Sequence, residues 1–334
     1  MLVEPLDIQN NIFERIKQLL PSSTSFVDEL AFRLDISNDS AYRRIRGEKM
    51  LTLEELIKLS RAYHISFDAM LQSELNNITF NYRSINGNVS FEEYFDSILA
   101  NLRLISGFEQ KELIYIAKDL PLFKYFDYRN VAAFKLFFWQ KTILNKPELQ
   151  QSKFDPTLIP NAVFDTGKKI IGSYIKIPSS EVWNKETINS TLNQLEFYYD
   201  NGFLDDKDLL QLVFAELKEM VHQVKTDAAN GYKTSLTYPS TENSSNFRLY
   251  YNEVTLGDNT IFFDMGDRKM AFITHNVLNL LTTANLEFCN ETHRMLLNII
   301  KKSNLISVAS EKQRNNFFNA IIEKIEVLEN KLLR

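Results

Sequence analysis

Turn-forming residues are scarce in this chain, with 9 glycines and 8 prolines among 334 residues. Glycine supplies left-handed turns and proline ends helices, so a shortage of both leaves few points at which the chain can reverse. Such a chain favours long helices over many-stranded sheets. Helical periodicity points the same way. Ile12, Phe13, Ile16, Leu19 and Leu20 share one face before Pro21 stops the run. Ser25 with Asp28, Thr52 with Glu55 and Ser90 with Glu93 mark helix starts, each an oxygen-bearing cap followed three residues later by an acid. Further helices are predicted over 109–119, 121–144, 160–175, 186–200 and 205–229, and again over 277–300 and 310–333. One region changes character. SNFRLYYNEVTL, NTIFFDM and RKMAFIT are β-rich runs broken by Gly257-Asp258-Asn259 and Gly266-Asp267, which predicts a three-stranded antiparallel meander at about 245–275. The expected fold class is mainly α, with that small antiparallel β-meander.

The length suits two domains, and 44% hydrophobic with 24% charged residues is ordinary for a chain that buries a core. Residues 72–90 are rich in Asn and Ser and lack helical period. The division expected is therefore 1–72, a linker over 73–90, and 91–334. A net charge of −5 provides no global basic field, so any nucleic-acid binding must come from a local patch. The single Cys289 excludes an internal disulfide framework and fits a reducing cytoplasm. No run approaches the roughly 18 apolar residues of a membrane span, and the acidic N-terminus lacks the zones of a signal peptide. A cytoplasmic protein without membrane partners is expected. No nucleophile elbow, dinucleotide fingerprint or paired-carboxylate signature stands out, and Thr166-Gly167-Lys168-Lys169 lacks the glycine spacing of a P-loop. His275, Cys289 and His293 have no fourth ligand at sensible spacing. Neither an enzyme, a metal nor a cofactor is expected.

The informative stretch is Leu30-Ala31-Phe32-Arg33-Leu34-Asp35-Ile36-Ser37 followed by Asn38-Asp39-Ser40-Ala41-Tyr42-Arg43-Arg44-Ile45-Arg46-Gly47. Small Ala31 permits a close helix crossing, while Leu30, Leu34 and Ile36 seal the angle. With the helix at Thr52–Leu59 and the segment Ile65–Leu71, residues 10–72 resemble the helix-turn-helix domain of Cro and phage repressors (the XRE type). The resemblance implies an all-α DNA-binding head whose second helix lies in the major groove of double-stranded DNA. The residues it assigns to DNA contact are Asn38, Asp39, Ser40, Tyr42, Arg43, Arg44, Arg46 and Lys49. Two positions depart from the pattern. Asp35 stands where the family usually has Gly, and the apolar anchor late in the recognition helix falls at Ile45, with Arg44 in its usual place. Either the turn is one residue longer or the helix is rotated, so that Ala41, Tyr42 and Ile45 face inward and Arg44 flanks the groove near phosphate. Residues 1–72 carry nine Lys/Arg against eleven Asp/Glu, a net of −2, yet 43–49 alone holds four positive residues and one negative. Positive charge is concentrated where phosphates would lie.

In residues 91–334, Phe123, Tyr125, Phe126, Tyr128, Phe134, Phe137, Phe138 and Trp139 crowd into 121–139. They fit a core, a subunit interface or a ligand pocket. Phe317, Ile321, Ile325, Leu328 and Leu332 form a stripe that suits either a short coiled coil between subunits or packing on its own domain. The expectation is a homodimeric, sequence-specific transcriptional regulator whose larger region senses a small-molecule or peptide effector. The alternative is a protein-interaction module whose helix-turn-helix no longer binds DNA.

Overall fold

The computed structural model describes residues 4–21, 24–63, 65, 78–82, 90–238, 245–254 and 257–334. The chain divides into two units, residues 1–81 and 82–334. The segment Ile65–Leu71, apart from Ile65, and most of the expected linker lie outside the described residues.

In the first unit the chain forms α1 (Pro5–Leu19), α2 (Phe26–Leu34), α3 (Asn38–Ile45) and α4 (Leu53–Tyr63). Ile12, Phe13 and Ile16 of α1 pack with Leu30, Ala31, Leu34, Ala41 and Leu59 in one small core, all at most 6% exposed. The caps form as the sequence predicts. The Ser25 hydroxyl accepts from the Asp28 amide, and Thr52 and Glu55 exchange both hydrogen bonds of a capping box at 2.9 and 3.2 Å.

The second unit overturns the expected fold class. It carries an eight-stranded mixed sheet, so its β-structure is neither small nor purely antiparallel. Its elements in chain order are β1 (Asn81–Tyr82), α5 (Phe91–Ser106), β2 (Glu112–Ala117), α6 (Arg129–Phe138), α7 (Asn161–Tyr174), β3 (Ser179–Trp183), α8 (Asn189–Asp200) and α9 (Lys207–Asn230). They continue with β4 (Phe247–Tyr251), β5 (Thr260–Asp264), β6 (Lys269–His275), β7 (Asn279–Thr283), α10 (Leu286–Lys301), β8 (Asn304–Leu305) and α11 (Glu311–Leu333). The strand order is β1-β7-β6-β5-β2-β3-β4-β8, with β2, β3 and β4 parallel and β5, β6 and β7 antiparallel. The run SNFRLYYN therefore joins no meander with NTIFFDM. Its strand β4 pairs in parallel with β3, while β5 crosses to the far side of β2. The third meander strand is β7, inside the helix expected over 277–300.

Both missed central strands have the same physical cause. ELIYIA of β2 and SSEVW of β3 are almost entirely buried on both faces, so neither alternates; the short apolar run of β2 reads equally well as helix, and β3, whose first three residues are polar, carries no strand signal. Leu113, Tyr115 and Ala117 of β2 join the large core under α5–α9 and α11, whereas Ile114 and Ile116 meet Cys289 and Leu296 of α10. The sheet is thus covered on both faces. The stripe of α11 is buried within its own unit, and so is the aromatic run 121–139. Neither offers a free subunit interface. Gly167, in α7, fits because a Cβ there would stand 2.1 Å from the Phe126 ring. It is a packing residue.

Beneath β3 lies a buried polar cluster. Glu181 accepts from Tyr174 Oη and from Trp183 Nε1 at 3.0 Å. Lys233 Nζ donates to the Ile177 carbonyl and to Ser179 Oγ at 3.0 Å, and sits 4.0 Å from the Tyr174 ring centroid. Burial pushes the Lys233 ammonium down to about 7, against the partial opposition of nearby Glu181. Between about pH 7 and the ordinary lysine value near 10.4, the unfolded chain binds a proton that the folded chain does not, so stability rises with pH in that window. Chemical denaturation of wild type and Lys233→Met across pH 6.5–10 should show wild type gaining relative to the variant as pH rises. A constant difference would contradict the assignment.

Candidate nucleic-acid interface

The turn between α2 and α3 depends on a left-handed residue. Asp35, at φ 56° and ψ 53°, takes the conformation that glycine would supply, and the Ile36 amide returns to the Ala31 carbonyl at 3.0 Å. Aspartate tolerates this region better than most residues, so the turn keeps its length without glycine. Ser37 then caps α3, its hydroxyl accepting from the Ser40 amide at 3.3 Å.

Register within α3 differs from both alternatives drawn from sequence. Ala41 and Arg44 are buried and Ile45 is partly buried, while Tyr42 is 51% exposed. Arg44 occupies the anchor place itself, at 3% exposure. Its Nε and Nη2 meet the two carboxylate oxygens of Glu55 at 3.1 and 2.5 Å, and Nη1 donates to the Ser40 carbonyl at 3.0 Å. Arg44 therefore leaves the set of groove residues, and Tyr42 leaves the inward face. The aliphatic stem fills the space an apolar anchor would take, and the fork–fork pair neutralises the head group. Burial pushes the Glu55 carboxyl up, but Arg44 and the Thr52 amide outweigh it and hold the group below the ordinary glutamate value.

A second partner was not legible in the sequence. Gln9 of α1, 2% exposed, donates to the carbonyls of Arg44 and Lys49 at 2.8 and 3.1 Å and accepts from the Leu51 amide at 2.6 Å. It clamps the loop after α3 to α1. Only its place on the apolar face of α1 could have flagged it. Gly47 ends α3 at φ 75°, where a Cβ would lie 2.7 Å from Leu6 Cδ1.

The remaining predicted residues lie on the outer side of the unit. Asn38, Asp39, Tyr42, Arg43, Arg46 and Lys49 are exposed and Ser40 is half-buried. Asn38 is partly committed, donating to Asp28 at 2.8 Å. Glu48 sits between the two arginines, 3.8 Å from Arg43 Nε and 3.1 Å from Arg46 Nε, with all three side chains roughly half exposed. Such surface pairs contribute about 0–1 kcal/mol and yield readily to a phosphate. Among the described residues no group of His, Cys, Asp and Glu is placed to hold a metal, and no helix is long and apolar enough to cross a membrane.

Removing one partner of a buried ion pair leaves the other uncompensated. Glu55→Gln should destabilise the head by roughly 3 kcal/mol, measured by hydrogen exchange of amides in α2–α4, with protection in β2 and β3 unchanged. Because the folded Glu55 value is depressed, its contribution is present above the ordinary glutamate value and is lost as pH falls through the folded one. The variant should accordingly lose the share of acid sensitivity that Glu55 contributes, while that of Glu29, whose carboxyl Tyr63 and Arg33 also hold below the ordinary value, remains.

No curated protein matches the chain, and no solved structure matches it. Residues 27–70 match the family described as Helix-turn-helix, the XRE type, a span that begins within α2 and contains α3 and α4. That match identifies the head as a helix-turn-helix domain of the kind found in DNA-binding transcriptional regulators.

Proposed function

We propose that this protein is a sequence-specific transcriptional regulator that binds double-stranded DNA as a homodimer and is controlled through residues 82–334. The carrying observation is the exposed row of Asp39, Tyr42 and Arg43 on α3 and Arg46 at its C-cap, behind which Arg44 is locked inward. An exposed face with two arginines on an α-helix of the right length fits the major groove, where arginine reads guanine through two hydrogen bonds. A single eight-residue recognition helix makes few phosphate contacts, and the head has an acidic balance. Two heads on a pseudo-palindrome, about 34 Å apart, supply the missing affinity. Buried as they are, the aromatic run and the α11 stripe do not provide the dimer surface, so dimerisation falls to other exposed surface or to assembly on DNA.

Selection of bound sequences from random duplex DNA tests the reading, with an enriched pseudo-palindrome as the expected result. Absence of enrichment would favour a protein-interaction module instead. On the selected site, Arg43→Ala should weaken binding by about 1–3 kcal/mol and relax preference at one base pair, with an unaltered helical spectrum. Glu48→Gln should act in the opposite direction. Freed of their carboxylate, Arg43 and Arg46 should bind selected and random duplexes more tightly and with a steeper salt dependence. Equal salt slopes in wild type and Glu48→Gln would remove Arg43 and Arg46 from the DNA-facing surface.

A further inference from the structure

The second unit contains a cavity of about 110 Å³ between α5, the sheet and the segment that follows β2. Its walls are mostly apolar side chains, among them Ile98 and Leu102 of α5, Ile261 of β5 and Leu280 of β7. Two features depart from ordinary core. Trp139 lines the cavity at 6% exposure, and its indole N–H makes no hydrogen bond among the described residues. A buried donor without a partner is costly, and it marks a place where an acceptor belongs. Trp139 also opens a π-helical turn, 139–143, at the end of α6, an irregularity frequent at functional sites.

Among the described residues that form the walls, Asp119 alone is charged, and it is already matched. It accepts from Lys135 Nζ at 3.1 Å, and that ammonium also donates to Gln194 Oε1 at 2.8 Å. Among the described residues neither a surplus cation nor a surplus anion faces the cavity. At its rim, Asn276 and Val277 both have positive φ, 53° and 67°, and Val277 is 53% exposed while lining the space. A β-branched residue in the left-handed region is strained, and such strain gathers at ligand clamps. The Leu278 carbonyl beside it accepts from Tyr94 Oη at 3.0 Å, tying the β6–β7 connection to α5.

We infer that this cavity binds a neutral small molecule with an apolar body and one hydrogen-bond-accepting end directed to Trp139 Nε1. This deepens the effector role proposed above and rests on that reading for its regulatory meaning, but the binding itself does not require DNA. A carboxylate would enter without a free cation to meet it, and an ammonium without a free anion, so each would lose hydration uncompensated.

Calorimetric titration of the full chain with 1-hexanol, hexanoate and hexylamine, matched in length, tests the inference. Hexanol should bind with a negative heat-capacity change, and both ions should bind at least about tenfold more weakly because a buried unpaired charge is disfavoured. Trp139→Phe, which keeps the ring and loses the N–H, should weaken hexanol about three- to tenfold, the range for one neutral hydrogen bond. Ile98→Trp, which fills the space, should abolish binding while the melting temperature stays within a few degrees of wild type. Absence of heat with all three probes, an ion binding as tightly as the alcohol, or indifference to Trp139→Phe would each overturn the proposal. Mobility shifts on selected DNA are read separately, so failure of the DNA-binding reading leaves the titration result standing, and the reverse.

Discussion

The contact between Arg44 and Glu55 holds the exposed face of α3, the surface proposed to read DNA, in place. An arginine at 3% exposure inside a head with a core as small as this one would be ruinous without a matched carboxylate. Glu55 supplies that charge and at the same time closes the capping box that starts α4. One carboxylate therefore fixes the rotation of α3 about its axis and the entry of α4. With Arg44 pinned inward, 100° steps along the helix carry Arg43 and Arg46 outward. The backbone carbonyl of Arg44 is taken in turn by Gln9, so α1 is joined to the same knot.

Local chemistry was readable in the sequence, and distant pairing was not. The caps at Ser25, Thr52 and Ser90 are fixed by residues three apart, and they form as expected. Helix-turn-helix identity was equally legible, because a run of side chains at fixed spacing carries it. Arg44 was misread for a reason of charge. Its partner lies eleven residues away in another helix, and an arginine without a visible partner is assigned to the surface by default. The sheet failed for a reason of burial, since β2 and β3 have no solvent face to impose alternation. Nor could sequence order predict that β5 would sit beside β2, roughly 150 residues earlier, with β4 excluded from its own apparent meander. The cavity was invisible for the same reason. Its walls come from α5, β2, the end of α6 and three later strands, so no single stretch of chain announces it.

The two units show different uses of buried polarity. In the head, the Arg44–Glu55 pair defines register in a core too small to do so by shape alone. In the larger unit, hydrophobic packing is extensive enough to tolerate Glu181, Lys135 and Lys233 at 0–1% exposure, each held by several hydrogen bonds. The orphaned N–H of Trp139 contrasts with these satisfied groups, and the contrast gives it meaning.

Glu48, poised between Arg43 and Arg46, also bears on how the protein would travel along a chromosome. On the proposed reading, every encounter with a random stretch of duplex would first displace that carboxylate, and the contact given up would be recovered the moment the protein lets go. Dwell times on unrelated sequence would be shortened, whereas a site that adds base contacts would retain the protein. An internal rival for the phosphate would thus trade raw affinity for a faster search, while the gap between right and wrong sites, to which the same cost applies, would be left to the base contacts.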